Sequence, residues 1–406
     1  MSNRRFDIIV WGATGFTGKL VVEYLRDYHP TVKVAIGGRN QTKCQQVLDD
    51  LNLDWPIIIA DAFDEVSLRT LVAQTSVVCT TVGPYSKYGH LLVGLCVEEG
   101  THYCDLTGES PFVRETIDRH HALAEEKGVS IVHACGFDSI PSDLGVFYTQ
   151  QYVQSETGQY ATEVHARTGK MKGGFSGGTI ASMVEMLDSL PERPELPRLL
   201  MNPYALNPDP KFKGPDGADQ VGVRFEKLSN RWTAPFVMAP TNTRIVRRSH
   251  ALQGFPYGKS FVYTESMGFP KGLKGWSMAV SVTLGMGTLI GAMVSSKWLR
   301  HQIWQRMLPQ PGEGPSREER DNGYFTMHFF AKVGEQVYEG RVSDTIDPGY
   351  ACTAKMLAES CLCLVENRSE LPKVGGVLTP SVAFGEVLVS RLQQAGMKFS
   401  CRLYTT

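Results

Sequence analysis

Seven consecutive residues near the N-terminus, Gly12-Ala13-Thr14-Gly15-Phe16-Thr17-Gly18, carry the clearest chemistry in this chain. Their glycines are spaced Gly-x-x-Gly-x-x-Gly. They stand between an apolar run, Phe6-Asp7-Ile8-Ile9-Val10-Trp11, and a stretch of helical periodicity with Leu20, Val21, Tyr24 and Leu25 on one stripe. Small residues at a strand-to-helix turn let the backbone approach a pyrophosphate, and the last glycine lets the helix lie close to the sheet. The first N–H groups of the helix then meet the phosphates, and the helix dipole favours their charge. The plainer reading is an ordinary glycine turn. Strand, turn and helix in the right order favour a dinucleotide site.

The second apolar segment ends Gly37-Gly38-Arg39-Asn40. A site for NAD has an acid here for the ribose 2′-hydroxyl, whereas this chain has Arg39 and no acid until Asp49. A guanidinium pairs with a 2′-phosphate through two parallel hydrogen bonds. Lys43, one helical turn on, adds a second cation. The expected cofactor is therefore NADP(H), against the bland alternative of a surface arginine. Asp61 follows the third strand, where it either meets the adenine edge or caps the next segment. Val82-Gly83-Pro84 follows the fourth, at the strand end where the crevice of such a sheet lies. Gly83 is expected to let the backbone approach the cofactor.

These residues need a scaffold, and the first third of the chain supplies its signals. Strand and helix patterns alternate at short spacing: strands at 6–11, 32–37, 56–60, 76–82, 102–105 and 130–134, helices at 18–28, 42–51, 66–74, 91–99 and 112–127. Alternation of this kind predicts a doubly wound parallel sheet, a Rossmann domain, and runs such as Ile57-Ile58-Ile59 suit strands buried on both faces. The rhythm changes after about residue 150, and Pro and Gly cluster over 191–217. The expected organisation is a Rossmann domain at 1–150, an α+β substrate domain at 151–345, and a helical segment at 346–406 that returns to the first domain. Within these, 324–333 alternates like a strand, 349–366 reads as a helix and 309–322 as a loop.

Bulk properties exclude other classes. Lys and Arg (41) balance Asp and Glu (42), which gives no support for a nucleic-acid partner. The nine cysteines are scattered, with no Cys-x-x-Cys pair, which points to reduced thiols in a cytoplasm and to no zinc site. One segment complicates a soluble reading. Residues 275–296 carry no charge and are long enough to span a bilayer. Serines, threonines and glycines dilute its hydrophobicity. A buried or interfacial segment is the expectation, with peripheral membrane contact preferred to spanning.

Longer motifs now narrow the reading. The glycine turn, Thr81-Val82-Gly83-Pro84-Tyr85-Ser86-Lys87-Tyr88-Gly89, Tyr103-Cys104-Asp105-Leu106-Thr107-Gly108-Glu109 and Cys135-Gly136-Phe137-Asp138-Ser139-Ile140-Pro141-Ser142-Asp143 resemble saccharopine dehydrogenase-like oxidoreductases. Lys172-Gly173-Gly174-Phe175-Ser176-Gly177-Gly178-Thr179, Ala239-Pro240-Thr241-Asn242-Thr243-Arg244-Ile245-Val246-Arg247-Arg248 and Gly375-Gly376-Val377-Leu378-Thr379-Pro380 resemble their trans-acting enoyl reductase branch. The resemblance covers nearly the whole chain. It implies an NADP-binding Rossmann domain, an inserted substrate domain, and reduction of a carbon–carbon double bond in a lipid intermediate carried by a polyketide synthase. It also brings eukaryotic relatives linked with lipid droplets and membranes. A homodimer fits such folds.

Enoyl reduction needs a proton donor as well as a hydride. Tyr85, Lys87 and Tyr88 follow the fourth strand, and a lysine beside a tyrosine lowers its pKa; loop packing with a solvated lysine is the alternative. Asp105, Thr107, Glu109, Asp138, Ser139 and Asp143 also follow strands, and turn or helix capping is the alternative for Asp138 and Asp143. The glycine-rich loop 172–179 leads into a helix at 180–187, with Thr179 as its cap or as part of an anion cradle. Arg244, Arg247 and Arg248 would meet an acidic carrier or membrane phosphates, or form a solvated strand or loop. Two rivals to the enoyl reductase reading stand. An amino-acid reductase of the saccharopine type would need a tight arginine cluster for its carboxylates. A non-catalytic membrane or lipid-droplet protein would use the nucleotide fold as a sensor.

Overall fold

The first strand shows how one short run builds two cores. In β1 (Phe6–Trp11) alternate side chains point to opposite faces. Ile8 and Val10 enter one apolar cluster, and Ile9 and Trp11 the other. A strand buried on both faces belongs at the centre of a parallel sheet. The computed structural model describes residues 4–173, 177–209, 211–307 and 312–405.

Around β1 stand β2 (Val34–Gly38), β3 (Ile57–Ile59), β4 (Thr75–Thr80), β5 (His102–Cys104) and β6 (Ser130–Val132). A later strand, Gly376–Leu378, closes the edge beside β6. The order is Gly376–Leu378, β6, β5, β4, β1, β2, β3, and every pairing is parallel. The order reverses between β1 and β4, which opens a crevice at their C-terminal ends. The expected strands of the first third are all present, with no end shifted by more than two residues.

The second sheet is mixed. It contains β7 (Glu163–Lys172), β8 (Arg224–Glu226), β9 (Arg231–Ala234), β10 (Val262–Phe269), β11 (Tyr324–Val333) and β12 (Gln336–Asp344). With Gly376–Leu378 counted as β13, β14 is Lys398–Leu403. The order is β14-β12-β11-β7-β10-β9-β8. Only β7 and β10 run parallel; the remaining neighbours are antiparallel. The C-terminal stretch is therefore more than helical. It gives one strand to each sheet, and between them the kinked helix Pro380–Gln394 packs on the helix Ile140–Thr157. The helix Thr353–Glu366, buried almost throughout, lies against the helix Phe16–Tyr28 and β4.

The uncharged stretch forms a helix, Leu273–Ser295, and it is not buried. Only Gly275, Ala279 and Met293 are inaccessible, so the buried alternative is corrected. By length and composition this helix is apolar enough to cross a membrane.

Candidate active site

The glycine turn is a backbone cradle. Gly12 has φ +92°, and a Cβ there would lie 2.7 Å from Val82 Cγ2. A Cβ on Gly18 would collide with the carbonyl oxygen of Gly12. Both positions therefore demand glycine. Ala13 is fully buried, and Gly15 starts the helix Phe16–Tyr28. That helix has no side-chain cap and no acid in its first turn, so its first N–H groups await an outside acceptor. A phosphate fits this end. The Phe16 ring turns away, edge-on to Tyr350 at 4.9 Å and beneath the Arg320 guanidinium at 5.5 Å. Thr14 is exposed beside the turn, and Thr17 reaches the crevice.

Arg39 and Lys43 are exposed at the end of β2 and in the first turn of the helix Gln41–Leu51. Neither side chain has a partner among the described residues, whereas Asn40 caps that helix through Lys43 N at 2.9 Å. Two free cations beside a phosphate cradle suit a 2′-phosphate. Asp61 is exposed and accepts from Phe63 N at 2.9 Å within its own turn, while Asp64 caps the next helix through Ser67 N. Val82 presses on Gly12. Gly83 is exposed and joined to Pro84 by a cis peptide; a Cβ there would meet only Tyr85 and Ser182, at ordinary distances.

Beyond the cradle lies a crevice, partly open to solvent, between the two sheets. Thr17, Leu106, Gly136, Phe137 and Asp138 line it from the first sheet. Met171, Gly173, Thr179, Phe236 and Met238 line it from the second, and Pro348, Gly349 and Thr353 close one side. Thioether, aromatic and small groups dominate this wall. It carries no Lys or Arg among the described residues.

The loop after β6 is strained where it meets the crevice. Ala134 has φ +60° and Ser139 φ +143°. Each such conformation costs about 1–3 kcal/mol and persists only where the surroundings enforce it. Here three clamps do so. Asp105, fully buried, accepts from Ala134 N and holds His133 Nδ1 at 2.7 Å. Phe137 N donates to Thr353 Oγ1 at 3.1 Å. Ser139 Oγ donates to Asn242 Oδ1 at 3.0 Å, and Asn242 in turn donates to Glu265 at 2.6 Å. Asp138, between the clamps, is half-buried at the crevice wall and has no hydrogen-bond partner among the described residues. Desolvation pushes its carboxyl up to about 7.

Other candidates sit elsewhere. Tyr85 is buried in the sheet core, its hydroxyl on Thr80 O at 3.3 Å and its ring beside Phe112, with burial pushing its pKa up. It does not reach the crevice. Lys87 is exposed and lies 5.5 Å over the ring of Tyr88, which itself packs on Phe63 after β3. Both stand outside the crevice lining. Glu109 is buried and accepts from Tyr85 N, Ser86 N and Ser182 Oγ. Thr107 donates its N–H to Asp105 and accepts from Glu109 N. Asp143 caps no turn at the helix start. It ties Ser249 Oγ and Ser381 N together across the molecule. Gly174, Phe175 and Ser176 lie outside the described residues, as do 309–311. The following helix is Gly177–Ser189, so Thr179 stands in its first turn rather than at its cap.

The three arginines are corrected outright. All are buried on the helix Ala239–Leu252, which is neither a strand nor solvated. Arg244 pairs with Asp219 at 2.8 Å and Arg247 with Asp216 at 2.8 Å. Arg248 donates to the carbonyls of Leu206 and Val377. They bolt segments together and meet no outside anion. The lining residues Met171, Phe236, Met238 and Thr353 had no motif to announce them; the Pro348-Gly349 turn pair was the one available signal.

Comparison with known proteins completes the description. A family model described as the saccharopine dehydrogenase NADP binding domain matches residues 8–132. A Mycobacterium tuberculosis protein that carries the name trans-acting enoyl reductase provisionally is 40% identical over 97% of both chains. The trans-acting enoyl reductase of Mycobacterium leprae is 37% identical over 97% of both chains. Among solved structures, the saccharopine dehydrogenase (L-Glu forming) of Saccharomyces cerevisiae superposes with a TM-score of 0.55 over 98% of this chain and 100% of its own, at 11% identity. That likeness is one of fold.

Proposed function

The chain belongs to the trans-acting enoyl reductases built on a saccharopine dehydrogenase NADP-binding domain, and from that premise we propose that it reduces the carbon–carbon double bond of an acyl thioester carried by a separate polyketide synthase. It is an NADP(H)-dependent oxidoreductase. The observation that carries the substrate reading is the crevice wall, apolar and without Lys or Arg among the described residues. An acyl chain fits such a wall. The polycarboxylate amine of a saccharopine-type reaction would leave its charges unpaired there. Arg244 and Arg247 are locked in buried pairs with Asp219 and Asp216.

The residues divide the work along the crevice. The N–H groups after Gly15 hold the pyrophosphate, and Arg39 with Lys43 reads the 2′-phosphate. When bound, NADPH supplies the hydride to the carbon distal to the thioester carbonyl. Asp138 supplies the proton to the neighbouring carbon. Its carboxyl, raised to about 7, still carries that proton near neutrality and has no competing partner. Lys87 and Tyr88, outside the crevice lining, are not assigned the proton. Phe137, Phe236 and Met238 exclude water from the acyl segment.

The test mixes the protein with NADPH and a 2-enoyl pantetheine thioester and follows NADPH absorbance. Loss of absorbance with formation of the saturated thioester supports the reading. Tight NADPH binding with no turnover of any enoyl chain length would favour the non-catalytic sensor instead.

A further inference from the structure

The helix Leu273–Ser295 is the largest feature that the chemistry leaves unused. At 23 residues it measures about 34 Å. It is docked at two places, near its start and near its end, and is open between them. Ala279 and Val282 pack with Ala234 and Phe269 of the second sheet, and Met293 packs with Ile180 and Val184. Crossing a bilayer would strip these contacts away. Its outer face is open: Leu273, Leu284 and Val294, with Trp298 just beyond, are each more than half exposed. Water is a poor neighbour for such a row.

The charges around this row choose its occupant. No Asp or Glu occurs from 266 to 312. Lys271 and Lys274 flank one end of the helix and Lys297 the other, all exposed and without partners among the described residues. Trp276 and Trp298 stand at the two ends, where an amphipathic ring sits best between headgroups and hydrocarbon. A second copy is a poor match, because a two-fold contact would set these lysines against their own images with no acid between.

We propose that the outer face of Leu273–Ser295 lies in the plane of an anionic bilayer, its apolar row in the acyl boundary and its lysines among the headgroups. The attachment reaches the crevice mechanically. Asp188, at the end of the helix whose first turn holds Thr179, pairs with Arg300 and with His301 at 2.7 Å. That pairing ties the helix following Leu273–Ser295 to the helix that lines the crevice at Thr179. Attachment of this surface is independent of the enoyl reductase reading, and its test uses neither substrate nor turnover.

The experiment is flotation of the full chain with vesicles of phosphatidylcholine and with vesicles that also contain phosphatidylglycerol. The wild type should float with the anionic vesicles, weaken with salt, and show a blue shift of tryptophan fluorescence. Each of Lys271→Gln, Lys274→Gln and Lys297→Gln should lower partitioning about fivefold, the equivalent of roughly 1 kcal/mol per cation. Leu284→Ser with Ile290→Ser should abolish flotation while NADPH titration stays that of the wild type, which shows the variant folded. The proposal is overturned if the wild type stays unbound with anionic vesicles. It is equally overturned if the serine variant floats unchanged, or if the same substitutions instead dissociate a dimer of the chain.

Discussion

The two ends of the crevice are built by opposite means. At the proposed dinucleotide end a seven-residue turn supplies the phosphate cradle through backbone N–H groups and missing side chains, with Arg39 and Lys43 beside it. At the substrate end the wall is assembled from side chains on segments as distant as Leu106, Met171, Phe236 and Thr353. The cradle is continuous in sequence and leaves no room for an added atom at Gly12 or Gly18. The second is discontinuous, apolar, and held by clamps from three elements on the strained loop after β6. Phosphates are common to every dinucleotide, so a local motif suffices for them. A greasy acyl chain has no such handle, and only the assembled fold defines its place.

Substitutions at the two ends should therefore fail differently. The largest effect belongs to the substrate end. Asp138→Asn keeps the volume and removes the proton, so kcat should fall by about 10²–10⁴ while the NADPH dissociation constant stays within about twofold. Steady-state kinetics beside a fluorescence titration separates the two. Next comes Gly18→Ala, whose new methyl has backbone on the other side and nowhere to go. It should cost about 3 kcal/mol in a denaturant titration and abolish NADPH binding. Arg39→Ala should weaken NADPH binding by about ten- to a hundredfold, the loss of a charge-assisted pair, and leave NADH binding unchanged. Equal losses for both cofactors would break the contrast, because Arg39 would then be reading something other than the 2′-phosphate. The smallest effect should be at Tyr85→Phe. Its hydroxyl makes one long bond to Thr80 O inside the core, so kcat should stay within about twofold, with at most roughly 1 kcal/mol lost in stability.

The same contrast explains what the sequence made legible. The parallel sheet was readable because β1 to β6 are short apolar runs punctuated by helical periodicity. The proposed cofactor cradle was readable because Gly12, Gly15 and Gly18 fall within seven consecutive residues, and Arg39 stands where an NAD site has an acid. Proton donors were harder. Tyr85, Lys87 and Tyr88 follow a strand of the right sheet, but periodicity does not say which side of the following helix faces the crevice. Asp138 was visible as one of several acids after strands; what sets it apart is the absence of a partner, which only three-dimensional packing reveals. Asp105 and Glu109 looked equivalent and are structural hubs. The arginines 244, 247 and 248 read as a solvent-facing cluster because their partners, Asp219, Asp216 and two backbone carbonyls, lie on other segments. The uncharged helix was plain in composition, yet its docking at two places, on which the proposed in-plane attachment rests, follows only from where Ala279 and Met293 pack.

The central claim is that the crevice is where the double bond is reduced and that Asp138 holds the proton. The most direct test is the pH profile of kcat for the wild type and for Asp138→Asn with one enoyl thioester. A carboxyl raised to about 7 is protonated below that pH and loses its proton above it. Wild-type kcat should therefore fall as pH rises through about 7, and the residual activity of Asp138→Asn should be flat across the same range. A variant that keeps both the wild-type rate and the same falling limb would contradict the account, because the titrating donor would then lie elsewhere.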